Sequence, residues 1–109
     1  MLWLFNTLTQ QKEEFHPLGD VVGIYTCGPS VYQHAHIGNF RAFIFEDVLV
    51  RYLKFKGYSV KRVMNITDIE DKAISTARND GKPLRELTDF FSKIFFDDMK
   101  ILEEYLASI

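Results

Sequence analysis

One transition in this chain constrains its fold more than any other. A short apolar run, Val21-Val22-Gly23-Ile24-Tyr25, leads into Thr26-Cys27-Gly28-Pro29-Ser30. A stretch holding two histidines and a glycine follows, His34-Ala35-His36-Ile37-Gly38-Asn39, and then the long apolar segment Phe40 to Phe55. Val, Ile and Tyr favour strands, and an uninterrupted apolar run suits a strand covered on both faces. Phe40 to Phe55 is too long for a strand and apolar nearly all round, which predicts a helix buried by its neighbours. Lys54 and Lys56 suit the negative C-terminal end of that helix, and Gly57 suits the left-handed position that ends it. A strand, a loop with Gly and His, and then a helix is a layout that binds phosphate. The helix start offers unpaired N–H groups at the positive end of its dipole, and glycine removes the Cβ that would hold a ligand off the backbone.

The rest of the chain extends this unit. Residues 58–66 alternate and run into Val63-Met64-Asn65-Ile66, a second strand. Thr67-Asp68-Ile69-Glu70 matches a capping box, with Thr67 as N-cap and Glu70 reaching back, and predicts a short helix to about Asn79 closed by Asp80-Gly81. Pro83 opens a third helix, in which Leu84, Leu87, Phe91, Ile94 and Phe95 recur at helical spacing while Phe90 and Phe96 fall off that face. Ahead of the apolar run, residues 2–5 read as a strand and residues 10–20 as a polar loop. The expected fold class is therefore α/β, a parallel βαβ unit followed by helices, in one domain over residues 1–109. In such sheets ligands bind beyond the carboxyl ends of the strands, so Cys27 and Thr67 are expected at one edge although forty residues separate them.

Charge and cysteine content narrow the function. The formal net charge is −2, with no global pull toward nucleic acid or anionic membrane. Residues 41–62 carry six basic and two acidic groups, and residues 63–109 six basic and ten acidic; solvated polar faces explain this asymmetry more simply than a nucleic-acid footprint. One cysteine excludes an intrachain disulfide and fits a reducing compartment. The apolar start Met1-Leu2-Trp3-Leu4-Phe5 lacks a basic lead-in and a cleavage site, and no run reaches the roughly 20 apolar residues of a membrane span, so a cytoplasmic protein without membrane contact is expected.

Several side chains are candidates for chemistry, each with a plainer reading beside it. His36 at a helix start can donate to a phosphate oxygen, Asn39 offers a second donor and Gly38 admits a nucleotide to the backbone; the plainer reading makes His36 and Asn39 helix-start polar residues only. Cys27 is a soft metal ligand or a buried free cysteine. The carboxylates Asp68, Glu70 and Asp71 are explained by a favourable helix dipole better than by a metal. Ser30 has no base–orienter pair beside it and is not a nucleophile candidate.

Three blocks carry a resemblance: Phe5-Asn6-Thr7-Leu8-Thr9 with Lys12-Glu13, Tyr25 to Arg41, and Asn65-Ile66-Thr67-Asp68-Ile69-Glu70-Asp71-Lys72. In order and spacing they resemble the N-terminal catalytic segment of the cysteine–tRNA ligases, class I aminoacyl-tRNA synthetases, with the HIGH-type signature in the form His36-Ile37-Gly38-Asn39. The resemblance implies the first half of a Rossmann-like, HIGH-type nucleotidyl transferase fold. It implies ATP-dependent activation of cysteine, with Mg, and transfer of the cysteinyl group to the cysteine tRNA. His36, Gly38 and Asn39 would bind ATP, with His36 and Asn39 stabilising the transition state; Gly28, Ser30 and Thr67 would surround the bound cysteine; Cys27 would be the first zinc ligand. A thiolate–metal bond separates cysteine from serine more sharply than a small pocket does. The family more often has Thr at Ser30, and for Thr67 the capping role is the plainer reading, compatible with a place beside the bound cysteine.

The family's remaining zinc ligands (a second Cys, a His and a Glu), its KMSKS-type loop, the second half of the nucleotide fold and its tRNA-binding helical domain are not in these 109 residues, and Lys100 to Ile109 departs from the family pattern. Two other readings compete: a shortened module that binds a nucleotide or a partner without reaction, and a ligase joining cysteine to an amino sugar in thiol-cofactor synthesis. The continuation Asn39-Phe40-Arg41 and the block Asn65-Ile66-Thr67-Asp68 favour the tRNA enzyme over the latter. A distant nucleotidyltransferase with an HxGH element leaves Cys27 unexplained. With only part of a split site, the 109-residue chain is expected to give little or no cysteine-dependent ATP–pyrophosphate exchange; exchange near the rate of an ordinary synthetase contradicts this.

Overall fold

The structure is a computed structural model that describes residues 1–107; Ser108 and Ile109, the end of the stretch expected to diverge, lie outside the described residues. The elements run β1 (Trp3–Asn6), β2 (Gln11–Glu14), β3 (Val21–Thr26), α1 (Ile37–Phe55), β4 (Ser59–Met64), α2 (Asp71–Asp80) and α3 (Leu84–Ala107). β3 and β4 pair in parallel, Val21 opposite Ser59 through Thr26 opposite Met64, with α1 as the crossover between them. This is the expected α/β class and βαβ unit. No helix among the described residues is long and apolar enough to cross a membrane.

The polar loop expected over residues 10–20 is corrected. Gln11–Glu14 is a strand, paired antiparallel with β1 from Trp3 opposite Glu14 to Asn6 opposite Gln11. Side-chain clasps rather than apolar alternation make this hairpin. Asn6 Oδ1 accepts from the Leu8 N–H at 3.0 Å, Gln10 takes a left-handed φ of 57°, and Glu13 accepts from Asn6 Nδ2 at 3.1 Å and from the Thr9 hydroxyl. The Thr9 bond and then the Asn6 bond hold the Glu13 carboxyl below the usual carboxylate range.

The core forms where α1 and α3 meet. Phe40, Phe43 and Phe95 are buried together, with Ala35, Met64, Ile66, Met99 and Leu102 packed around them. Phe43 meets Phe95 edge-on at 5.5 Å, and Phe40 lies nearly parallel to Phe95 at 6.2 Å. A second contact joins α2 to α3 through buried Ala73, Ala77 and Leu87. Gly81, at φ 65°, ends α2 as expected, and Pro83 immediately precedes α3.

Burial on both faces is corrected for β3 and for α1. Along β3, Val22 is buried, while Val21 and Tyr25 on the other face are exposed. Along α1, Phe40, Phe43, Val50 and Leu53 are buried, while Ile37, Phe45, Val48 and Phe55 are exposed. The physical reason is layer count: a two-stranded sheet with its helices on one side covers one face of each element. Arg62 of β4 ties the polar side of α1 to the sheet, 2.9 Å from Glu46 and 3.8 Å from Asp47, and Arg51 meets Asp47 at 2.6 Å.

The two faces of α3 predict contrasting substitutions. Phe95 is 4% exposed, while Phe90 and Phe96 are 59% and 57% exposed. Phe95→Ala is expected to cost about 3–5 kcal/mol in urea unfolding. Replacing Phe90 and Phe96 by Ser is expected to leave stability within about 0.5 kcal/mol and to reduce the binding of a dye that reports exposed apolar surface. Equal costs at positions 95 and 96, or no dye binding by the unmodified chain, contradict the packing described.

Candidate functional site

Beyond their last paired residues, β3 and β4 stay together. The Gly28 N–H donates to Asn65 Oδ1 at 2.9 Å, and Asn65 Nδ2 donates to the Thr67 hydroxyl at 3.2 Å. Thr67 N–H donates to Pro29 O at 3.0 Å, and Val31 N–H donates to Thr67 O at 3.1 Å, which makes Ser30 and Thr67 an isolated parallel bridge. The two loops pass so closely that a Cβ on Gly28 would lie 1.9 Å from the Asn65 carbonyl oxygen and 2.7 Å from Met64 Cγ. Only glycine fits there.

These bonds correct the capping box expected at Thr67. α2 begins at Asp71 with Glu70 as its N-cap, and no side chain caps it. The backbone of Thr67 is committed to the loop after β3 and its hydroxyl to Asn65, so the sequence match at Thr67 and Glu70 did not predict a helix start.

The capping box lies instead at α1, three residues earlier than the expected start at Phe40. His36 is the N-cap: its Nδ1 accepts from the Gly38 N–H at 3.1 Å, and its own N–H donates to Asn39 Oδ1 at 3.0 Å. This arrangement sets which atoms remain available. With Nδ1 accepting, a neutral His36 ring carries its proton on Nε2, and Asn39 retains both Nδ2 hydrogens. A Cβ on Gly38 would sit 3.0 Å from His36 Cε1 and Nδ1, so a larger residue there would push the imidazole aside by a few tenths of an ångström. The helix-start reading of His36 and Asn39 is therefore correct in geometry, and it leaves one donor group on each.

A cleft of about 360 Å³ lies over these segments. Gly28, Ser30, His36, Gly38 and Asn39 line it, so five of the seven candidate residues share one wall system. Thr67 stands behind Ser30 through their bridge. Cys27 is exposed, which corrects the buried-cysteine alternative, and its thiol donates only to the adjacent Gly28 carbonyl at 3.8 Å.

A zinc site does not fit the residues present. Among the described residues no group of three or more His, Cys, Asp or Glu side chains is placed to hold a metal. Cys27 is a single thiol, and one ligand does not form a zinc site.

The cleft also recruits residues that the sequence reading did not place in the site, Glu70 among them, which it assigned to the helix dipole. His34 lines it and packs edge-on against Phe91 of α3 at 5.3 Å. Tyr32 lines it with Lys72 Nζ 6.0 Å above its ring, and Glu70 completes the α2 side. The rule that places both post-strand loops at one sheet edge was the available signal for Glu70 and Lys72, since both follow Thr67 by a few residues.

The family described as the class I (C) tRNA synthetase catalytic domain matches residues 14–108. The chain is 52% identical over 101 residues to a cysteine–tRNA ligase of Chlamydia pneumoniae, covering 93% of this chain and 21% of that protein. It is 51% identical over 110 residues to a cysteine–tRNA ligase of Pyrococcus furiosus, covering all of this chain and 23% of that protein. It is 50% identical over 107 residues to one of Thermococcus kodakarensis, covering 97% of this chain and 22% of that protein. The chain thus spans about a fifth of the length of these curated relatives.

The crossing at Gly28 sets a prediction. Gly28→Ala forces a methyl group into a backbone carbonyl, which no rotamer change relieves. The expected loss is about 3 kcal/mol of unfolding free energy, with weakened protection of the Thr67 amide in hydrogen exchange. Unchanged stability contradicts the close approach.

Proposed function

Because the chain belongs to the class I (C) tRNA synthetase catalytic-domain family, we propose that its cleft is the part of a cysteine–tRNA ligase site that holds cysteine and ATP. The observation that carries this reading is the capping geometry of α1. It leaves the His36 Nε2–H and the Asn39 Nδ2 hydrogens free of cap bonds on two residues that line the cleft. Both groups are donors at a positive dipole end, which suits phosphate oxygens.

In the proposed reaction a carboxylate oxygen of cysteine attacks the α-phosphorus of ATP. The bond from that phosphorus to the bridging oxygen breaks, and pyrophosphate leaves with the electron pair. Little covalent work falls to the protein in such a step. His36 and Asn39 hold the phosphates in line and meet the negative charge that spreads over them, while Gly38 lets the nucleotide reach the helix backbone. Gly28, Ser30 and Thr67, joined by the bridge beyond β3 and β4, form the wall assigned to the amino acid. Mg would accompany ATP as part of the substrate. Transfer of the cysteinyl group to a hydroxyl at the 3′ end of the cysteine tRNA, with release of AMP, completes the activity proposed for the whole protein. Cys27 contributes one thiol at the same edge, and no step is assigned to a metal.

Asn39→Asp separates this role from helix capping. Aspartate keeps the Oδ1 acceptor for the His36 N–H, so α1 is expected to retain its thermal stability within about 0.5 kcal/mol. It loses the Nδ2 donors and faces phosphate with a negative charge. Isothermal titration with ATP and Mg is therefore expected to show affinity lower by about tenfold or more. Unchanged affinity, or no ATP binding by the unmodified chain, removes the proposal.

A further inference from the structure

Resting on that reading of the cleft, we propose that Glu70 receives the α-ammonium group of the aminoacyl substrate. Glu70 occupies the N-cap of α2, yet its side chain makes no cap bond. Its carboxylate accepts no hydrogen bond and joins no ion pair among the described residues, and its Oε1 is enclosed without a partner. A carboxylate deprived of water at one oxygen and given no donor is costly to maintain, so it calls for a donor from elsewhere. The lysine two residues on does not supply it, since Lys72 lies over the Tyr32 ring. Asp68 and Asp71, on either side in sequence, are exposed to solvent and do not line the cleft.

The distribution of charge along the cleft identifies what that donor is. Glu70 is the only acidic side chain in the lining among the described residues. The same lining holds groups suited to anions: the His36 ring N–H, the Asn39 amide and the Lys72 ammonium, the last over the Tyr32 ring. A ligand complementary to this wall has a cationic group at one end and a phosphoryl group at the other. An aminoacyl adenylate, with its α-ammonium and its phosphate, has that pattern; a nucleotide alone leaves Glu70 unanswered. The carboxylate would then place the amino acid by a charge-assisted bond, while the aminoacyl carbon stays near the α-phosphate.

The test is isothermal titration of the 109-residue chain with three probes. They are 5′-O-[N-(L-cysteinyl)sulfamoyl]adenosine, its des-amino counterpart carrying a 3-mercaptopropionyl group, and ATP with Mg. Loss of the ligand's amino group is expected to weaken binding to the unmodified chain by about ten- to a hundredfold. Glu70→Gln is expected to weaken the cysteinyl probe by a similar factor and to leave the des-amino probe and ATP unchanged. Because Gln removes a half-enclosed unpaired charge, the variant is expected to melt no lower than the parent chain. The des-amino comparison on the unmodified chain reads the same contact without a substitution. Equal affinity for both sulfamoyl probes overturns the proposal. So does a Glu70→Gln effect of equal size on the des-amino probe, which marks a packing role, or on ATP, which marks a nucleotide contact. Failure of the cysteinyl probe to bind the unmodified chain overturns the parent reading of the cleft, and this one with it.

Discussion

The contact between Gly28 and Asn65 is the constraint on which the rest of the cleft depends. Two parallel strands bring the loops after β3 and β4 to one sheet edge, but proximity at an edge does not fix the loops relative to each other. The 2.9 Å bond from the Gly28 N–H to Asn65 Oδ1 does, and the approach of Gly28 to the Asn65 carbonyl leaves no room for another arrangement. From there the bridge between Ser30 and Thr67 follows, and with it the position of Glu70 three residues further on. Asn65 serves both sides, since its Nδ2 holds the Thr67 hydroxyl. One amide thus sets the register of two segments that carry most of the proposed amino-acid wall.

At the other end of the cleft, capping and ligand binding divide the same side chains between them. His36 has two ring nitrogens and Asn39 has an oxygen and a nitrogen. The helix start consumes Nδ1 of one and Oδ1 of the other, both as acceptors. What remains on each is a donor. A helix start built in this way is therefore biased toward anions by its own folding requirement, and the structural and functional readings of His36-Ile37-Gly38-Asn39 are not alternatives. The cap also holds the donors still, which is the preorganisation that charge stabilisation in a phosphoryl-transfer step requires.

The elements legible from sequence were those set by local patterning: β3, α1, β4, the Gly81 stop of α2, and the inward face of α3 through Leu87 and Phe95. The two misread segments fail for different reasons. β2 is polar and exposed, and its pairing rests on clasps from Asn6 and Thr9 to Glu13, which apolar periodicity does not register. Thr67-x-x-Glu70 has the spacing of a capping box, but a tertiary pairing with Pro29 and Val31 took its backbone first. Tertiary bonds between segments some forty residues apart override a four-residue signal, and nothing in the local sequence announces them. The site was legible to the extent that it is made of loop glycines and the α1 start. Glu70, Lys72, Tyr32 and His34 enter it only through the fold.

Apolar character all round α1 and β3 was read as burial on all sides, and the structure assigns it to one side. The outward residues, Val21 and Tyr25 on β3 with Phe45, Val48 and Phe55 on α1, belong to the same two elements that deliver the cleft. The cleft does not lean on them. Its walls are tied to each other by backbone and amide bonds at the strand ends, by the cap at α1, and by the Phe40–Phe43–Phe95 cluster beneath. The donors of His36 and Asn39 and the carboxylate of Glu70 are therefore brought to the cleft by bonds within these segments. Whatever covers the outer face of β3 or α1 adds stability without redrawing it.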